Sequence, residues 1–167
     1  MPLKCLTWHA RGEDASVRRM SDTPLSDVMT EHAETKTPES YERFLALFRA
    51  SSIGVVAIGA PAQDADGRFI AGGDLGAGRT THGDGRPRVL AYADPEAALR
   101  NFGPRFNAGL SGEVLLQMAA ADPDCEGILV NSAIREISLI ISKPTVQSLL
   151  TPNITEAPGR RPWWKRR

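Results

Sequence analysis

The sequence predicts an α+β fold, with a single mixed or antiparallel sheet of about five strands and helices packed on it. Three observations lead there. Helix-start chemistry recurs at Thr37-Pro38-Glu39 and Asp94-Pro95-Glu96, with Ser111 a third capping residue. Short β-branched runs, Ile53 to Ile58, Ile128 to Val130 and Ile137 to Ile141, lie between or after these signals. The resulting order, α, β, β, β, α, α, β, β, α, segregates instead of alternating as a doubly wound sheet would.

Taken along the chain, residues 1–37 are polar and without sustained apolar periodicity, and read as a mostly disordered leader in which 22–34 has room for a short helix. Met20 opens Met-Ser-Asp-Thr-Pro and would serve as a translation start, making the first 19 residues an upstream extension. Order is expected from residue 38. Tyr41, Phe44, Leu45 and Phe48 fall at i, i+3, i+4 and i+7, one apolar face of a helix from 38 to about 50. Ile53 to Ile58 then reads as a buried strand.

Seven of the 15 glycines fall between Gly67 and Gly85, so 64–85 reads as a loop or irregular hairpin, with Asp66-Gly67 turning Phe69-Ile70 back on the preceding strand. Arg88 to Ala93 resumes as a strand. A helix from Pro95 stops at Gly103-Pro104, and one capped by Ser111 presents Val114, Leu115, Met118 and Ala119 before ending at Asp122-Pro123. The two Ile-rich runs form a hairpin across 131–136, with Ile137, Leu139 and Ile141 on one face. A last helix from about Pro144 buries Val146, Leu149 and Leu150. The domain is therefore drawn at 38–150, a fragment expected to fold alone, with a basic tail at 151–167.

With 41% hydrophobic and 24% charged residues in 167, the composition is globular. The zero net charge hides an asymmetry: both ends are basic, while 20–157 carries 11 Lys/Arg against 18 Asp/Glu. Such a body disfavours nucleic acid on its own surface, since phosphate contacts need clustered cations. Cys5 and Cys125 are far apart in unlike contexts and predict no disulfide; no apolar leader or membrane-length run is present. The expectation is a cytoplasmic protein with no transmembrane segment.

Three segments resemble the N-terminal domain of the SseB (enhanced serine sensitivity) family of bacterial proteins. They are Tyr41 to Ile58; Arg86-Pro87-Arg88-Val89-Leu90-Ala91-Tyr92-Ala93-Asp94-Pro95-Glu96; and Glu126-Gly127-Ile128-Leu129-Val130-Asn131. The resemblance spans roughly 38–150. Ala91 departs from the family's aromatic strand, and Ser132 from its Asn-Pro ending. The family's second, C-terminal domain has no counterpart in the 17 residues after Leu150. The resemblance implies an α+β fold and an interaction role, and no catalytic residue.

No constellation completes a catalytic or ligand motif. Gly73 to Thr80 approaches a phosphate loop, with Arg79 in the lysine position, but the chain after it continues as loop where a helix N-terminus is required. Asp64-Ala65-Asp66-Gly67 lacks the later ligands of a calcium loop. Gly109-Leu110-Ser111-Gly112 lacks the final glycine of a nucleophile elbow. His9, His32 and His82 lie in separate segments and make no zinc set with the cysteines. No metal, cofactor or catalytic residue is predicted.

The expected function is a non-enzymatic protein-interaction or regulatory module of bacterial type, with Tyr92 and the 131–136 turn, including Asn131 and Arg135, as binding candidates. The partner is expected to be another protein, and self-association as a homo-oligomer is left open. The tail sets Trp163 and Trp164 among Arg160, Arg161, Lys165, Arg166 and Arg167, a composition suited to nucleic acid or an anionic membrane. An alternative of another class is a small-molecule or enzymatic site built from the glycine-rich loop 72–85, with Arg79 and His82, and the acidic turn 122–126 around Asp122, Asp124 and Glu126.

Overall fold

The computed structural model describes residues 21–59, 61–63, 65, 69–73 and 75–151. Two antiparallel-lying helices open it, α1 (Pro24–Thr35) and α2 (Pro38–Ala50). Thr37 caps α2 as its sequence signal requires, its side chain accepting from the Ser40 N–H, with Pro38 in the first turn. The chain then enters strands β1 (Ser52–Val55), β2 (Ala57–Ile58), β3 (Pro61–Gln63), β4 (Phe69–Gly73), β5 (Gly76–Ala77), β6 (Arg79–Thr81) and β7 (Pro87–Tyr92). Helix α3 (Pro95–Phe102), strand β8 (Ala108–Ser111), helix α4 (Gly112–Ala121), strands β9 (Gly127–Asn131) and β10 (Ser138–Ser142) and helix α5 (Lys143–Leu150) complete it.

The fold is α+β, with a mixed main sheet ordered β10-β9-β7-β1-β8 and β6 beside β7 where β1 has left it. All its pairings are antiparallel except β7 with β9, which run parallel in the register Val89↔Ile128 to Tyr92↔Asn131. Alternate residues, Ile53 and Val55, Val89 and Ala91, Ile128 and Val130, then Ile141, point to one face and are buried against Phe44, Phe48, Leu115, Leu116 and Val146 of the helices. The β9–β10 hairpin forms as the two Ile-rich runs predict. Gln63↔Phe69 and Ala62↔Ile70 pair as the Asp66-Gly67 turn predicts. No helix among the described residues is long and apolar enough to cross a membrane.

Three expectations need correction. The short helix for which 22–34 has room forms as α1, but it is not loosely attached: Leu25 and Met29 are fully buried in the main core, and the lower boundary at 38 leaves this helix out. The apolar signal of α1 is short because only about one turn faces the core. Asp94, read as the cap of its own helix, makes no such bond. It sits in the left-handed region at φ 43°, which Asp tolerates better than most residues, and its carboxylate accepts the Leu25 and Ser26 N–H groups at 3.1 and 2.7 Å, capping α1 instead. The strand expected over Ile53 to Ile58 is broken at Val56, because its second half turns from β7 to β5; there the Gly78 N–H donates to the Val56 carbonyl at 2.6 Å.

Candidate functional site

The carboxyl ends of the one parallel pair among the described strands open a crevice, the place where open sheets present a site, because the two chains leave their strands in different directions. From Tyr92, the last residue of β7, the chain enters α3; from Asn131, the last of β9, it enters the turn to β10. The Ala93 N–H still bonds the Asn131 carbonyl at 2.9 Å, so the strand ends are held together at the floor. A cleft of about 210 Å³ lies above, lined by Tyr92, Phe102 and Arg105 on one side and by Asn131, Arg135 and Ile137 with their turn neighbours on the other. The three residues singled out in the folded part of the sequence, Tyr92, Asn131 and Arg135, all line it.

The walls are braced from three directions. The Asn101 side chain donates to the Ala133 carbonyl at 2.9 Å, joining α3 to the turn, and the Ser26 hydroxyl accepts the Ala133 N–H at 2.8 Å, joining α1 to it. Behind the cleft the Tyr92 ring lies 5.8 Å from Phe106, whose ring covers Gly54 so closely that a Cβ there would meet it at 3.0 Å. Gly103, at φ 75°, ends α3 and turns the chain so that Arg105 joins the lining.

The lining is rich in donors. Asn131 accepts the Ser138 hydroxyl through Oδ1 at 2.7 Å, while its Nδ2 and the Tyr92 hydroxyl have no partner among the described residues. Arg105 makes only a 3.4 Å bond to the Phe102 carbonyl, and Arg135 stands 3.9 Å from Glu34 with both side chains exposed. Glu136 is the one carboxylate of the lining. On the two elements that wall the cleft, Leu99, Phe102 and Ile134 are 49%, 39% and 36% exposed, and Phe102 is also part of the lining.

A second cleft of about 330 Å³ lies between the sheet and α4, lined by Leu75, Gly76, Ala77, Val89, Met118, Ala121 and Asp122. The loop of the enzymatic alternative does reach the acidic turn: Arg79 meets Asp122 at 3.3 Å, and the other Asp122 oxygen accepts the Asp124 N–H at 3.0 Å. His82, Asp124 and Glu126 are exposed and outside this lining. Nearby, buried Arg88 holds Asp84 through two bonds; the guanidinium keeps the Asp84 carboxyl well below the usual carboxylate range, and the carboxylate raises Arg88 in turn.

The missed lining residues, Phe102 and Arg105 above all, carry no motif; they converge only through the α3 stop. Arg160, Arg161, Trp163, Trp164, Lys165, Arg166 and Arg167 lie outside the described residues. No family model matches this chain, and no curated protein or solved structure matches it.

Proposed function

We propose that this protein is a non-enzymatic interaction module that receives a segment of another protein in the cleft at the ends of β7 and β9. The observation that carries the reading is a small cavity with exposed apolar side chains on the two elements that wall it. At about 210 Å³ the cleft falls below the roughly 300–1,000 Å³ of pockets that enclose small ligands. It suits one anchoring side chain of a larger partner, and exposed Leu99, Phe102 and Ile134 supply the surrounding contact that a metabolite would not use. The resemblance of three sequence segments to the SseB family, which has no established activity, agrees with a binding role. The two isolated cysteines agree with a reducing, cytoplasmic setting.

Affinity capture from native lysate tests this, using the full chain and its Phe102→Asp variant. A stoichiometric protein partner is expected with the first and lost with the second, at unchanged circular dichroism. Capture of nothing, or of a partner indifferent to the substitution, would overturn the reading.

A further inference from the structure

We infer that the segment received by this cleft presents a carboxylate, an Asp or Glu side chain next to an apolar one. The inference rests on the reading of the cleft as a protein-binding surface and adds the chemistry it selects. Besides the Ser132 and Ser138 hydroxyls, the lining residues carry four donor groups, the Arg105 and Arg135 guanidinium groups, the Tyr92 hydroxyl and the Asn131 amide, against one carboxylate, Glu136. The existing partners of the two arginines are weak: a 3.4 Å carbonyl contact and a 3.9 Å pair with Glu34, exposed on both sides and worth little in water. A planar guanidinium is best satisfied by the two oxygens of a carboxylate.

Charge outside the cleft decides the kind of anion. Residues 20–157 hold seven more acids than bases, so a long polyanion or an anionic bilayer would meet repulsion beyond the cleft. A lone carboxylate interacts mainly within the Debye length of about 8 Å, where it can reach the two arginines of the lining. The Tyr92 and Phe102 rings of the lining suit the apolar neighbour.

The test titrates the isotopically labelled full chain with two short capped peptides, one carrying Glu on either side of a Leu, its twin carrying Gln, and follows amide signals by NMR. The Glu peptide is expected to move Tyr92, Asn131 and the 132–138 signals and to bind about tenfold or more tighter than its twin, with the preference abolished in R105Q/R135Q. Equal binding of the twins at the cleft would overturn the carboxylate and leave the protein-binding reading standing. A Glu preference that survives R105Q/R135Q would seat the acids elsewhere and overturn it too. If neither peptide moves the cleft, the reading and the inference fall together; if phosphatidylserine vesicles alone move it, a lipid headgroup replaces the protein segment.

Discussion

Two clefts among the described residues differ in a way that separates room from recognition. The one beneath α4 is larger, about 330 Å³ against 210 Å³, yet its charges are spent: Arg79 is on Asp122, and both Asp122 oxygens are occupied. The one at the ends of β7 and β9 is smaller but has donors without good acceptors and apolar side chains in solvent. Binding capacity follows the unsatisfied groups, since a partner gains free energy only from contacts the free protein has not already made.

The braces differ as well, and the largest expected effect comes from removing one. Deleting residues 1–37 takes Leu25 and Met29 out of the core together with the Ser26 bond to the 131–138 turn. At about 2–5 kcal/mol for truncating each buried side chain, this approaches the whole stability of roughly 5–15 kcal/mol. The 38–150 fragment should lose its cooperative melt in calorimetry; a sharp transition would show that α1 only decorates the fold.

Next comes Phe44→Ala. The ring is fully buried in the main core, 6.0 Å from both Tyr41 and Phe48. Denaturant unfolding should register a loss of about 3–5 kcal/mol. A loss below 1 kcal/mol would mean the cavity collapses or the packing is looser than it looks.

Asp94→Ala acts on α1, the helix that braces the first cleft through Ser26. It removes the acceptor of two α1 N–H groups, so the expected cost is about 0.5–2 kcal/mol, with amide exchange rising first at residues 24–28. Uniform exchange across the chain would deny Asp94 its local role. The smallest effect belongs to the second cleft: Arg79→Ala breaks an exposed pair and should change stability by no more than about 0.5 kcal/mol. A larger change would make that cleft a packed element and narrow the contrast.

Helices α2 and α4 were legible because their signals are local: a hydroxyl cap at Thr37 or Ser111, then an apolar face within four turns. Helix α1 was legible only as room for a short helix at 22–34; its docking was not, because its cap is a carboxylate 68 and 69 residues away in sequence. Strand β8 was missed for the same kind of reason. Ala108-Gly109-Leu110-Ser111 has no strand pattern of its own and is held by register with β1. At the site, Tyr92, Asn131 and Arg135 could be named as a strand end and a turn, but that β7 and β9 run parallel, and so bring them together with Arg105, is a fact of topology.

The most direct measurement is hydrogen–deuterium exchange of the full chain, free and with the captured partner. Protection is expected at residues 92–93, 101–106 and 131–138, with 75–77 and 118–122 unchanged. Protection at 75–77 and 118–122 with the β7 and β9 ends unaffected would place recognition beneath α4 and contradict the account.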